Sequence, residues 1–359
     1  MDPVNNCIYC FEPADSLEHP LPAAFGEFEG APYLRDRICR ECNNRLGVLD
    51  EQLARCGPEG FFRRAYGVQG RSTHDEVNPF YRGSAGGQPL EMKTKDPKLG
   101  IEILLECQDG KYHQLRQLAF IETSGKTYHL PIRDDTTPEQ LRAGFQRLCV
   151  TPPFDTQILY DPQERVRVEK LIKEAWPSAT FVQGDLASTK YNGAVLNFQL
   201  TDRYFRAVAK VGFHYFLSQF PHYRGHESVF SDIRQFILEG GGGVETANDF
   251  VGKRQHPLLG EMLNGARPDR WRAHLLCAET KPGECLAHVQ MFVSEDWEAQ
   301  AYTVRLTRQT PLADCRAAGH AYIYYADGPK GRYSGEAYSL VSGRATFSAP
   351  PLAPVITPP

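Results

Sequence analysis

Four cysteines fall in two pairs, Cys7-x2-Cys10 and Cys39-x2-Cys42, with 28 residues between the pairs and no other cysteine among them. Thiolates at this spacing place two sulfurs on one tight turn. Two such turns make the tetrahedral sulfur set that Zn2+ takes in structural sites. A four-thiolate site has no open coordination position, so its contribution is to folding and not to turnover. Between the pairs stands Glu18-His19, and directly after the second stands Asn43. A carboxylate, an imidazole and an amide oxygen are the groups that a hard, hydrated cation and a general base call for. One short segment therefore offers a closed soft-ligand site and the parts of an open hard-ligand one.

Each of these residues also has a plainer role. His19 is the only histidine in residues 1–73 and precedes Pro20. The residue before a proline is held in extended backbone, where adjacent side chains point to opposite faces. Glu18 and His19 can then serve one site only through a local twist or bulge. Asn43 lies at the expected start of a helix and is equally suited to cap it. Asp50 falls two helical turns beyond Asn43 on the same face, where it supports the site or merely packs. A zinc ribbon with no hydrolytic chemistry, serving as a binding module, is the competing reading.

In combination, Cys7-x2-Cys10, Glu18-His19-x-Leu21-Pro22, Phe25-Gly26 and Cys39-x2-Cys42-Asn43-Asn44, closing on Gly47 and Asp50, resemble the HNH endonucleases. Within that family they are similar to the cysteine-containing branch, which includes the phage recombination endonuclease of the Holliday-resolving type. The resemblance covers residues 5–60. It implies a ββα-metal module mounted on a zinc knuckle, with Glu18 as the acidic ligand of a catalytic cation, His19 as the general base and Asn43 as the second ligand. It implies Mg2+ or Mn2+ beside a structural Zn2+, and hydrolysis of DNA to 5′-phosphate and 3′-hydroxyl ends. At family level it implies a role in restriction, phage defence or mobile-element biology. Two positions depart from the family pattern: residues 33–38 (YLRDRI) fill the loop where many members carry an asparagine that orients the histidine, and Asn43 stands where others have a histidine.

Arg35, Arg37, Arg40 and Arg45 surround the second knuckle and, with Arg63 and Arg64, are the candidates for phosphate contact. Asp36, Glu41 and Glu51 offset them. The whole chain carries 40 Lys+Arg against 44 Asp+Glu for a net charge of −4, and residues 1–75 carry 8 basic and 12 acidic side chains. This is not a chain that coats nucleic acid through bulk charge, so bound cations or a local basic face must supply the attraction. DNA is the expected partner, with homodimerisation left open. His214, His222 and His226 suggest a cluster, but His214 sits among Phe213, Tyr215 and Phe216 and reads as a satisfied core histidine. Residues 240–243 are four glycines without the Lys-Ser/Thr of a phosphate loop, so no nucleotide cofactor is expected. The six remaining cysteines, Cys56, Cys107, Cys149, Cys277, Cys285 and Cys315, read as small buried hydrophobes.

The elements that must position these groups follow from periodicity. Residues 43–66 carry Leu46, Leu49, Leu53, Phe61, Phe62 and Ala65 at helical spacing, interrupted at Gly57-Pro58. The expected organisation is α+β: a zinc-knuckle ββα-metal module over 1–66, a linker or arm over 67–98, an α+β region over 99–239, a β-rich domain over 244–348 with an antiparallel sheet, and a disordered Pro-rich tail over 349–359. Strands are expected at 101–107, 118–121 and 128–132, and helices at 137–149, 162–176, 201–220 and 227–239. Period-two patterning returns from residue 271, at 273–278, 286–293, 301–306 and 321–325. Residues 322–338, with Lys330 and Arg332, read as an exposed loop available to nucleic acid or a partner. No apolar run approaches the ~20 residues of a membrane span, and the N-terminus lacks the pattern of a signal peptide, so a cytoplasmic location is expected.

Overall fold

The computed structural model describes residues 6–68, 78–81, 89–108, 111–184, 190–191, 193–198, 200–241, 243–254, 272–294, 300–308, 315–324 and 334–343. The first stretch forms three short strands, β1 (Leu17–Glu18), β2 (Glu27–Glu29) and β3 (Leu34–Arg35), then two helices, α1 (Arg40–Cys56) and α2 (Pro58–Ala65). β1 and β3 pair antiparallel, with Glu18 opposite Leu34. α1 begins at the second cysteine pair because Cys39 is its N-cap: its backbone is extended and its sulfur accepts the Cys42 N–H. Asp15 accepts the Arg40 N–H at 2.8 Å, an anion placed on the positive end of the helix dipole. The break falls at Gly57, and Pro58, which has no N–H to leave unsatisfied, opens α2. Leu46, Leu49, Leu53, Phe61, Phe62 and Ala65 are all buried, as their spacing predicts.

β4 (Glu91–Lys95), β5 (Glu102–Gln108) and β6 (Lys111–Gln114) form an antiparallel sheet. Beyond it, β7 (Gln117–Glu122), β8 (Thr127–Pro131), α3 (Pro138–Leu148), β9 (Phe154–Leu159) and α4 (Arg165–Ala175) close around a small core of their own, built on Leu118, Phe120, Leu141, Val168 and Ile172. β10 (Val195–Asn197) then returns to pair with β4.

α5 (Asp202–Gln219), capped by Thr201, is the spine of the fold. Its residues from Tyr204 to Leu217 are buried, Arg206 excepted, so even Lys210 and His214, on the same face as Arg206, lie inside the protein. α6 (Ser231–Glu239) and α7 (Gly243–Phe250) pack against it. So does a sheet made of β11 (Val251–Lys253), β12 (Arg272–Lys281), β13 (Glu284–Ser294), β14 (Ala301–Thr307), β15 (Arg316–Tyr324) and β16 (Ser334–Gly343). The order is β11-β14-β13-β12-β15-β16-β2; the C-terminal strands are antiparallel to one another, and β2 joins β16 in parallel. Gly212 permits the helix to lie close to the sheet, since a Cβ there would meet Val304 Cγ2 at 2.9 Å and Ala287 Cβ at 3.2 Å. Phe28 of β2 packs on Tyr322 and Tyr324, and the Tyr324 hydroxyl donates to the Phe25 carbonyl.

One core thus runs from the cysteine module through α5 to the C-terminal sheet, across the expected boundaries at residues 66 and 243. The physical reason is α5, which is buried over nearly its whole length, Lys210 and His214 of its polar stripe included, and must be covered on both sides. The glycine run links α6 and α7, two helices on the same surface of α5, with Gly240 at φ 65 ending α6. The expected exposed loop over 322–338 is strand at both ends, with Tyr322 and Tyr324 buried in β15 and residues 334–338 in β16, while Lys330, Arg332, much of the 67–98 arm and the tail from 349 lie outside the described residues. Cys149 is exposed and Cys315 half-buried, where sequence reading had placed both in the interior; Cys56, Cys107, Cys277 and Cys285 are buried. Among the described residues no helix is long and apolar enough to cross a membrane.

α5 also faces a carboxylate with no cation beside it. Glu59 of α2 is 3% exposed and accepts the Tyr204 hydroxyl at 2.8 Å, while its other oxygen has no partner. Burial pushes its carboxyl up to about 7. The folded state therefore holds this proton more tightly than the unfolded chain. Its contribution is full below the unfolded value of 4.5 and is lost as pH rises towards about 7. Glu59→Gln is uncharged at every pH, so its stability relative to wild type should rise by roughly 2–3 kcal/mol between pH 5 and pH 8. Urea midpoints at the two pH values read the difference, and an offset that does not change with pH would remove Glu59 as the titrating group.

Candidate metal centre

The Sγ atoms of Cys7, Cys10, Cys39 and Cys42 all lie within 4.8 Å of one another, with Cys10 and Cys39 at 3.5 Å. Four sulfurs each ~2.3 Å from a central Zn2+ sit ~3.8 Å apart, so the cluster fits a tetrahedral site for a metal such as zinc. The first turn is closed by the Phe11 N–H on the Cys7 carbonyl at 3.0 Å, with Phe11 left-handed at φ 66. The second turn is the N-cap of α1, and the Ile8 N–H joins the two loops by donating to the Arg37 carbonyl at 2.9 Å. Burial and the neighbouring sulfurs push the Cys42 thiol well up, the mutual repulsion that a bound dication offsets. Among the described residues this is the only group of three or more His, Cys, Asp or Glu side chains able to share an ion. His222 instead packs on Tyr223 and His226 on Phe11.

Glu18 points from β1 into the core and is 6% exposed. Its Oε1 lies 2.6 Å from Lys210 Nζ and 3.3 Å from His214 Nδ1, both on α5. Neither Oε1 nor Nδ1 has a partner in hydrogen-bond geometry, so Lys210 and Glu18 form an ion pair and the His214 ring packs beside it. Lys210 is fully buried and donates to both oxygens of Asp50, at 2.8 and 2.9 Å. His214 Nε2 is 2.8 Å from the hydroxyl of Tyr9, which stands between Cys7 and Cys10. Burial raises the Glu18 carboxyl, but the Lys210 charge and the His214 contact more than reverse this and hold it far below the usual carboxylate range. Burial lowers His214, leaving a neutral ring, while Asp50 and Glu18 hold Lys210 above its ordinary value despite its burial. Lys210 thus joins two carboxylates that come from different elements, β1 and α1.

Periodicity had placed His214 in the core, where it is, but connected neither it nor Lys210 to Glu18. The available signal was the lysine itself. A charge at an inward position of an otherwise apolar helix requires an opposite charge beside it.

His19 follows the last residue of β1, half-buried, with its ring edge-on to Tyr33 at 4.8 Å. Asn43 lies in the first turn of α1, its N–H on the Cys39 carbonyl at 2.9 Å. Cys39 is the cap, so the amide of Asn43 is not needed for that purpose. The rise of α1 separates Asn43 from Asp50 by about 10 Å, and Lys210 draws Glu18 to the Asp50 end. Arg37 donates to the carbonyls of Pro221, Tyr223 and Arg224 and so closes off the segment after α5. Arg35, Arg40 and Arg45 are exposed; Arg63 and Arg64 are half-buried, with Arg63 donating to the Ala54 carbonyl at 3.4 Å.

Comparison with protein-family models, with curated proteins and with solved structures finds no match.

Elemental analysis should find one zinc per chain, and Cys39→Ser should lose it along with cooperative folding of the module; a fully folded, metal-free wild type would contradict the site. Lys210→Met strips the ammonium from two carboxylates and should cost about 3–5 kcal/mol at pH 7. The depressed Glu18 contributes stability above its unfolded value of 4.5 and loses it as pH falls below that. The gap between Lys210→Met and wild type should therefore narrow in urea titrations below about pH 4. Equal midpoints at pH 7 would show that the ion pairs carry no stability.

Proposed function

We propose that the chain is an HNH-type, metal-dependent endonuclease acting on DNA. The observation that carries this reading is Glu18, an ionised and nearly buried carboxylate on the strand that lies between the two cysteine pairs. It directly precedes a half-buried histidine. Glu18, once turned away from Lys210, and Asn43 would hold Mg2+ or Mn2+, which would supply stabilisation of charge on the phosphoryl oxygens and the departing 3′ oxygen. His19, unprotonated, takes the proton of the attacking water. Arg35, Arg40 and Arg45 supply phosphate contacts around the second knuckle. Arg37 is engaged with backbone carbonyls and contributes none. The expected products carry 5′-phosphate and 3′-hydroxyl ends.

One observation favours a second reading, a non-catalytic zinc module. Lys210 already places a positive charge 2.6 Å from Glu18 and directs it towards Asp50. In that reading the ammonium takes the place of the catalytic ion, and the C-terminal sheet carries a binding or regulatory role.

Plasmid nicking in Mg2+ or Mn2+ separates the two. The endonuclease reading expects cleavage that falls roughly 10²- to 10⁴-fold in His19→Ala, with zinc content and melting temperature unchanged. Equal inertness of both proteins on double-stranded, single-stranded and branched DNA and on RNA would establish the second reading instead.

A further inference from the structure

We infer that Tyr33 is a stacking surface for an unpaired base beside His19, so that the site takes single-stranded DNA in preference to duplex. The inference deepens the endonuclease reading and rests on it. Its basis is the outward side of the ladder formed by β1 and β3. Leu17 stands opposite Arg35 and Glu18 opposite Leu34, so His19 and Tyr33, one step further along, are the next cross-strand neighbours. Their ring centroids are 4.8 Å apart and the rings meet at 74°. Alternation turns Glu18 and Leu34 inward, where both are buried, and sends Leu17, His19, Tyr33 and Arg35 to the other side. There Leu17 is 42% and Tyr33 45% exposed, Arg35 is exposed and His19 is half-buried.

This row sets an aromatic ring and a guanidinium side by side. Tyr33 and Arg35 are two residues apart on extended backbone, about 7 Å, and Arg35 has no ion-pair partner among the described residues. A nucleotide has the matching two parts, an apolar base face and an anionic phosphate, for the ring and the guanidinium to take. In a duplex each base face is already covered by its neighbours and pairing holds it in the stack, so Tyr33 could reach one only by extruding the nucleotide. An unpaired strand offers the face without that cost. A base seated on Tyr33 lies next to the imidazole that takes the proton of the attacking water, and so brings its flanking phosphate to His19. A single strand also has a lower charge density than a duplex. That suits a module whose first 75 residues carry 8 basic and 12 acidic side chains, since stacking supplies attraction that charge does not.

The test is fluorescence anisotropy of one labelled DNA oligonucleotide, single-stranded and annealed to its complement, with the zinc-loaded full chain and no added Mg2+ or Mn2+, so that binding is read without cleavage. Wild type, Tyr33→Ala, Tyr33→Phe and Arg35→Ala are compared, with zinc content and melting temperature measured on each. The inference expects wild type to bind the single strand more tightly than the duplex, and Tyr33→Ala to lose about 10-fold or more on the single strand. Tyr33→Phe should bind as wild type, and Arg35→Ala should bind more weakly with a shallower salt dependence. Equal affinity of wild type for the two forms overturns the inference, whatever the variants do. So does wild-type affinity in zinc-loaded Tyr33→Ala, even if its nicking is slowed, since Tyr33 would then only orient His19. A Tyr33→Phe as weak as Tyr33→Ala overturns it too, because the contact would belong to the hydroxyl and not to the ring. In each of these cases nicking by wild type leaves the endonuclease reading standing; a wild type that neither binds nor nicks either form removes both.

Discussion

A fully buried ammonium sets the terms for the rest of the structure. Lys210 stands in the middle of α5, where an uncompensated charge would cost several kcal/mol. The helix can occupy the core only if carboxylates come to it, and they come from two different elements: Glu18 from β1 and Asp50 from α1. Because those elements also carry or adjoin the cysteine pairs, the ion pairs fix how the knuckle module docks on the spine.

A comparison within the same helix shows how much the cation matters. Glu18 and Glu59 are both nearly buried against α5. Beside Lys210 the first is held far below the ordinary range; beside only tyrosine hydroxyls the second is pushed up to about 7. Burial alone raises both, and the sign of the outcome is set by whether an opposite charge is within reach. The knuckle's own strands could not impose this arrangement, since β1 and β3 meet at only two residue pairs. The Cys39 cap and the docking onto α5 hold them in place, and a metal held by the four sulfurs would add to this.

What could be read from the sequence follows a pattern. The cysteine pairs, the division of α1 from α2 at Gly57-Pro58 and the capped helix from Thr201 were legible because each rests on neighbours in the chain. So were the strands around Ile103, Leu276 and Val289, although those around Leu276 and Val289 prove buried on both faces. What stayed hidden depends on residues distant in sequence. The pairing of β2 with β16 joins Phe28 to Gly335 through two segments too short or too irregular to announce themselves. Arg37 has the composition of a phosphate contact, yet serves carbonyls beyond α5. For the site, residue types named Glu18, His19, Asn43 and Asp50 as a set. The partner that actually meets Glu18 and Asp50 is Lys210, some 160 positions beyond Asp50, and no local pattern reports it.

The central claim is that Glu18 remains a cation ligand although an ammonium sits beside it. Anomalous diffraction from Mn2+-soaked crystals addresses it directly, since manganese and zinc are distinguished by wavelength. The account predicts a zinc peak among the four cysteines and a separate manganese peak in contact with Glu18 and Asn43, with Lys210 retained by Asp50. A zinc peak alone, with Lys210 still bridging Glu18 and Asp50 at saturating Mn2+, would contradict it.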